Sequence, residues 1–184
     1  MTMTPRLRKF TLTAHLTVSI GWIGAVIAYL ALVGAAMTSQ DSQTLRAAWI
    51  AMEVIGWYVI VPLALASLLT GLVMALGTKW GLFQHYWVLI SLVLTILATA
   101  VLLEHMQTVS SVAGVAAATP SAAVGGLPGE VVHAGGGLLV LLVIQVLNMY
   151  KPRGMTRYGQ RKQHEQRRPR PSEPHPEPAE VTTT

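Results

Sequence analysis

Residues 10–37 read FTLTAHLTVSIGWIGAVIAYLALVGAAM and contain no Lys, Arg, Asp or Glu. Three further apolar runs follow, at 47–76, 86–103 and 131–150, and Glu53 is the only charged residue within them. About 20 apolar residues suffice to cross roughly 30 Å of hydrocarbon. The four runs therefore predict an all-α protein, a bundle of four transmembrane helices at about 10–37, 47–76, 85–106 and 130–150.

The composition excludes most other classes of protein. Only 11% of the 184 residues are charged, against about 25% in a typical soluble domain, so the chain cannot cover the surface of a soluble globular enzyme. It contains no cysteine, which excludes a disulfide scaffold, thiolate catalysis, Cys-held iron–sulfur clusters and covalent c-type haem. The sequence shows no nucleophile arrangement, no phosphate-binding glycine loop and no paired catalytic carboxylates. Whether the protein is an enzyme stays open.

The basic residues predict the orientation. With four spans, every Lys and Arg except Arg46 falls on one side of the membrane. By the positive-inside rule both termini are cytoplasmic, in the inner membrane of a bacterium. The high pI of about 9.9 therefore reflects basic residues that are expected on the cytoplasmic side of the membrane. Nucleic acid is not expected as a partner. The first run is far longer than the 7–15 apolar residues usual in a signal peptide, so we expect a retained helix.

The sequence predicts one domain and a tail. Residues 1–150 form the transmembrane domain. Residues 151–184 form a Pro-rich tail, first basic and then acidic, which is expected to be disordered. The basic half of the tail lies against anionic headgroups or only fixes the topology. The uncharged segment 108–129 is expected to be an outer lid or a shallow re-entrant segment.

Four histidines lie within or at the ends of the predicted helices, and ionisable groups at membrane depth are candidate functional groups. His85 and His105 are 20 residues apart, about 30 Å of helix, so they cannot share a site. His105 and His133 lie at the outer level, and His15 and His85 at the inner level. Either pair, on neighbouring helices, would suit the iron of haem b, and the glycines at 135–137 leave room for a flat ring. Helical periodicity predicts an apolar wall on the His105 face of its helix, made by Trp87, Ser91, Leu94, Ala98 and Val101. The alternative is that each histidine is an ordinary hydrogen-bonded interfacial residue.

A metal site is the second expectation. The residues at the outer level that could hold a metal are Glu53, Glu104, His105, Glu130 and His133, of which Glu53, His105 and His133 are the predicted ligands. Imidazole with carboxylate suits copper(II) or zinc. The sequence has no tight ligand spacing such as His-x-x-x-His. Glu53 alternatively serves as a proton-relay group or as a structural hydrogen-bond partner.

Residues 15–24, HLTVSIGWIG, place Trp22 seven residues after His15 and follow it with Gly24. This pattern resembles the first helix of CopD-like copper-resistance proteins, of HemJ-like membrane proteins, and of small bacterial integral membrane proteins related to them. The resemblance implies that His15 is a ligand, of haem b in the HemJ-like case and of copper in the CopD-like case.

Three functions follow as hypotheses. The first is a membrane protein that binds haem b between its helices for electron transfer or another redox role. The second is copper handling or transport. The third is a cofactor-free helper or assembly subunit, which would contact another membrane protein or a second copy of itself within the lipid bilayer.

Overall fold

The computed structural model describes residues 3–77, 85–118 and 127–151, together with 154, 156, 157, 160 and 161. It contains helices α1 Pro5–Thr38, α2 Ser42–Ile55, α3 Val61–Gly77, α4 Tyr86–Ala118 and α5 Leu127–Tyr150, with a π-helical turn at Gly56–Ile60 between α2 and α3. These helices make four spans, namely α1, α2–α3, α4 and α5. Each span is long and apolar enough to cross a membrane. The predicted all-α bundle of four transmembrane helices is confirmed, and the chain is an integral membrane protein.

Each span packs against the next, and the fourth packs against the first. Helix α1 contacts α3 and α5, and α4 contacts α2, α3 and α5. The core of the bundle contains Trp22, Trp49, Met52 and Met106, each at most 4% exposed. Large apolar side chains also cover the outside of the bundle, where they face lipid because a bilayer solvates them as well as a protein core does.

The two ends of the bundle are identified by contacts between helix termini. The backbone N–H of Met3 donates to Gly77 O at 3.2 Å, and that of Tyr86 donates to Gly154 O at 3.4 Å. The start of α1, the end of α3, the start of α4 and the end of α5 therefore share one end, called the termini end below. Which end faces the cytoplasm stays a prediction.

The opposite end is closed by caps on α2 and α4. The carboxylate of Asp41 accepts hydrogen bonds from the first turn of α2, and the guanidinium of Arg46 donates to Ala117 O at 2.6 Å near the end of α4. Hydrogen bonds from the Thr44 hydroxyl, and from the backbone N–H groups of Gln43 and Thr44, lower the pKa of Asp41. These caps explain why α2 begins at Ser42, before the predicted start at 47.

The prediction of a lid or re-entrant segment was wrong as far as residue 118, because α4 continues through it. This part of the chain is rich in alanine, a strong helix former. It buries Val109, Ala113 and Ala116, whose spacing places them on one face of a helix. Ser110 of the same turns accepts a hydrogen bond from Trp57 Nε1 at 2.8 Å. At its other end the prediction was also wrong, because α5 begins at Leu127, and residues 119–126 lie outside the described residues.

The π-helical turn precedes Pro62, which has no N–H to donate to the turn before it. At the first residue of this turn, Gly56, an added Cβ would overlap the end of the Met106 side chain. Glycine at this position therefore allows α4 to approach the second span closely.

The predicted tail falls mostly outside the described residues. Within the part that is described, the backbone N–H of Gln160 donates to Thr156 O at 3.0 Å, which is a helical hydrogen bond. Lys151, directly after α5, has a positive φ of 44° and ends the helix there.

Candidate functional site

Two cavities lie between the spans, one toward each end of the bundle. The first, of about 450 Å³, is bounded by α1, α4 and α5 and is called the histidine-pair cavity. Its lining is almost wholly apolar, and its polar groups come from Tyr29, His105, His133 and the indole of Trp22. The second, of about 350 Å³, lies toward the termini end and is called the serine cavity.

A hydrogen-bonded network joins three spans beside the histidine-pair cavity. The hydroxyl of Tyr29 on α1 donates to Glu130 Oε2 on α5 at 2.5 Å, and His105 Nε2 on α4 lies 2.9 Å from the same oxygen. Glu130 is 3% exposed. It lies in the first turn of α5, where the helix dipole favours a negative charge. The carboxylate is thereby the shared acceptor that holds α1, α4 and α5 together.

His133 lies next to this network but bonds elsewhere. Its ring stacks on the ring of His105, with centroids 4.2 Å apart and an angle of 7° between the planes. Its Nδ1 lies 3.0 Å from Gly129 O, one turn earlier in α5. A carbonyl oxygen only accepts hydrogen bonds, so Nδ1 carries the proton and, in the neutral ring, Nε2 carries the lone pair.

The structure therefore brings together the predicted outer pair, His105 and His133, but in a face-to-face arrangement. Two axial ligands of one iron approach it end on, from opposite faces of the porphyrin. Parallel stacked rings do not offer that geometry, and the Nε2 atom of His105 is already bonded to Glu130. The unprotonated nitrogens of the two neutral rings are then Nδ1 of His105 and Nε2 of His133, and both residues line the cavity.

The walls of the cavity follow the helix faces expected from sequence. Of the residues predicted on the His105 face of α4, Leu94, Ala98 and Val101 line this cavity. Trp87 and Ser91, further along the same face, line the serine cavity instead. On α5 Gly136 and Gly137 line the histidine-pair cavity, and a Cβ added to either would meet nothing within 4 Å. The glycines thus leave open space against the wall of α5.

The serine cavity contains His15, the residue that carries the sequence resemblance. His15 Nδ1 lies 2.9 Å from Thr70 Oγ1, and its ring lies over Gly71, where a Cβ would come within 3.2 Å of it. Ser19 on α1 and Ser67 on α3 join their hydroxyls at 2.9 Å. His15 is therefore far along the bundle from the histidine pair and belongs to a separate cavity.

The other two predicted residues lie apart from both sites. His85, directly before α4, has its ring centroid 6.4 Å from that of Trp87, and the described lining of the serine cavity includes His15 but not His85. Glu53 is half-buried on α2. Within residues 3–77, 85–118 and 127–151, no three His, Asp or Glu side chains form a group that could hold a metal ion. Glu53, His105 and His133 are thus not assembled into a metal site.

Sequence reasoning did not single out Tyr29 or Thr70, and it took Ser91 only as part of the wall on the His105 face. The available signal was that each carries a hydroxyl inside an otherwise apolar run, since such a group needs a hydrogen-bond partner at membrane depth. Comparison of the chain with protein-family models, with curated proteins and with solved structures gave no match.

Proposed function

We propose that this protein binds haem b in the histidine-pair cavity, where His133 would hold the iron, and acts in electron transfer within the bacterial cytoplasmic membrane. The observation that carries the proposal is the hydrogen bond from His133 Nδ1 to Gly129 O. Histidines that ligate metals typically donate their other ring N–H to a carbonyl or a carboxylate, which fixes the tautomer and the ring orientation. His133 has this arrangement beside an apolar cavity.

The cavity supports the proposal by its size and chemistry. Ligand sites in proteins are mostly apolar clefts of about 300–1,000 Å³ with a few placed polar groups, and the histidine-pair cavity of about 450 Å³ lies within that range. The space beside Gly136 and Gly137 would accept the face of a flat ring. Haem b supplies reversible one-electron chemistry when it is bound.

The neighbouring network would balance charge at such a site. Glu130 Oε2 and His105 Nε2 share one hydrogen bond, and Tyr29 donates to the same oxygen. A proton held along this bond can lie nearer the carboxylate or nearer the imidazole. The network would therefore compensate for a change in charge nearby without bringing water into the membrane interior.

The test is a reduced-minus-oxidised visible spectrum of the protein purified in mild detergent from cells with adequate haem. We expect a Soret band and a sharp α-band, both lost in His133→Ala and kept in His15→Ala. Added imidazole should partly restore the bands in the His133→Ala protein. A flat wild-type spectrum, or full haem content in His133→Ala, would contradict the proposal.

A pair of glycine variants tests the position of the ring. Gly137→Leu fills space in the histidine-pair cavity and should abolish haem binding. Gly135→Leu is the matched control, because it adds the same side chain two residues away, where a Cβ also meets nothing within 4 Å and the residue is not part of the described cavity lining. Equal haem content in the two variants would place the ring elsewhere.

A further inference from the structure

The serine cavity lies between all four spans. Its lining includes His15 on α1, Ser67 on α3, Thr95 on α4 and Gln145 on α5. These four helices pack in a ring, because α1 and α4 each contact both α3 and α5. The cavity therefore lies inside the ring rather than on its lipid-facing side.

The cavity extends from the termini end to roughly the middle of the membrane. At the termini end its lining includes Lys151, which follows α5 and is exposed. Further in, the lining includes Ser67, about 15 Å along α3 from Gly77, and Thr95, about 14 Å along α4 from Tyr86. The hydrocarbon core of a bilayer is about 30 Å thick. The lining thus continues from a charged residue at the helix end to about half that thickness.

Two amide side chains of α5 line this cavity without a hydrogen-bond partner among the described residues. Gln145 and Asn148 lie one helical turn apart, and both are half-buried. The described side-chain atoms that are both fully buried and unpaired are Trp49 Nε1 and Ser91 Oγ, so the amide atoms of Gln145 and Asn148 are accessible. An amide without a partner is costly in hydrocarbon. Its partner is therefore expected within the cavity that it lines.

Further polar groups continue inward from these amides, and nearly all of them are uncharged. Ser19 and Ser67 join their hydroxyls at 2.9 Å, and His15 Nδ1 lies 2.9 Å from Thr70 Oγ1. Among the described lining residues only Lys151 has a fixed charge. A set of hydroxyl and amide groups without an array of charges suits water better than it suits an ion or a lipid tail.

The size of the cavity also suits water. A cavity that stays empty in a protein is apolar, whereas a polar cavity holds water that bonds to about two to four partners. The volume of about 350 Å³ accommodates several waters, since one water takes about 30 Å³ in the liquid.

We propose that the serine cavity is a water-filled vestibule that admits small hydrophilic solutes from the termini end to the middle of the bundle. Water in it bonds to the amides of Gln145 and Asn148. This inference does not rest on the proposed haem site, because the two cavities share no described lining residue. The haem spectrum reports on the histidine-pair cavity, so failure of one proposal is distinguishable from failure of the other.

The experiment measures how fast single cysteines react with a water-soluble thiol reagent. The chain contains no cysteine, so each variant has one thiol. The full chain in lipid nanodiscs is treated with the anionic reagent sulfonatoethyl methanethiosulfonate, and mass spectrometry follows the adduct. The thiolate is the reactive form, and apolar surroundings suppress it. A cysteine in a water-filled cavity therefore reacts, whereas one that faces lipid does not.

Two pairs of neighbouring residues give matched comparisons at nearly equal depth. Gln145 and Ser19 are half-buried and line the cavity. Val146 and Ile20, the next residues, are 53% and 59% exposed and lie outside the described linings of both cavities. We expect Gln145→Cys to react about tenfold faster than Val146→Cys, and Ser19→Cys about tenfold faster than Ile20→Cys. Rates no higher than those of the lipid-facing partners would overturn the proposal.

A bulky side chain near the termini end tests the route of entry. Asn148→Trp should slow the reaction of Ser19→Cys about tenfold by filling the vestibule, whereas Val146→Trp, on the lipid-facing side of the same helix, should not slow it. Where Asn148→Trp lowers the melting temperature, Asn148→Phe replaces it. A rate at Ser19→Cys that neither substitution at Asn148 changes would overturn entry from the termini end.

Discussion

The histidine-pair cavity and the serine cavity differ in how their polar groups are satisfied. Beside the histidine-pair cavity the groups bond to one another: Tyr29 and His105 share Glu130, and His133 bonds to its own helix. In the serine cavity Ser91 has no partner within the described chain. The network of Tyr29, Glu130 and His105 is complete within the described chain, whereas the hydroxyl of Ser91 is left without a partner there.

The difference indicates which buried polar groups stabilise the bundle. A buried network with every member bonded rigidifies the helices around it. A buried group without a partner contributes nothing to folding and is retained at a cost in free energy. We therefore expect substitutions in the network to lower the free energy of unfolding, and Ser91→Ala to leave it unchanged or raise it slightly.

The largest stability effect is expected for Glu130→Ala. This change leaves the Tyr29 hydroxyl and the His105 ring without their shared acceptor inside the bundle, at a cost of about 1–3 kcal/mol in the free energy of unfolding. Reversible unfolding in mixed detergent micelles would measure the loss. Glu130→Gln is the control, since it keeps the shape and one acceptor oxygen and should lose less. Equal stability of Glu130→Ala and the wild type would show that the network is not what holds the three spans together.

A smaller effect is expected at the π-helical turn, where Gly56 lies against Met106 of α4. In Gly56→Ala the new Cβ overlaps the far end of the Met106 side chain, which is flexible but buried and must shift, so the expected cost is at the low end for overpacking, about 1 kcal/mol. The same unfolding assay should show the loss in the wild-type background and little further loss in a Met106→Ala background. Gly24→Ala is the control, because its Cβ meets nothing within 4 Å, and it should be neutral or slightly stabilising.

Much of the fold could be predicted from sequence because lipid imposes simple demands on a chain. A span must be long, apolar and helical, so uncharged runs such as residues 10–37 are sufficient to recognise one. The face of α4 that includes Leu94, Ala98 and Val101 follows from helical period alone and lines the cavity beside His105 as expected. Lengths and faces are properties of single segments, and these predictions succeeded.

Contacts between segments were harder to predict. The network forms because Tyr29 on the first span lies at the same depth in the bundle as Glu130 at the start of the fourth. That depth depends on how the helices pack. The extension of α4 to Ala118 was missed because charge marks the ends of spans only where charged residues occur, and residues 108–118 have none. His105 and His133 were correctly placed at one level, but their stacking, which changes what they can ligate, depends on side-chain geometry that a single sequence does not contain.

The smallest predicted effect concerns the Asp41 cap of α2, outside the membrane. It compares a hydrogen-bonded group in water with the hydrogen-bonded groups inside the bundle. Hydrogen bonds lower the pKa of Asp41 below its ordinary value of 3.8, so the ionised cap stabilises the start of α2 above that pH. The stabilisation is lost as the pH falls through the lowered pKa. Hydrogen exchange at the amides of Gln43 and Thr44 should therefore show less protection in acid than at neutral pH.

Asp41→Ala should remove both the protection and its dependence on pH, whereas Asp41→Asn should keep part of the cap without the dependence. Because water can replace the lost partners of these exposed amides, only the first turn of α2 should fray, with no change in the unfolding of the bundle. A loss of global stability in Asp41→Ala as large as that in Glu130→Ala would contradict the distinction drawn here, since it would show that a capped end in water stabilises the fold as strongly as a network inside the membrane.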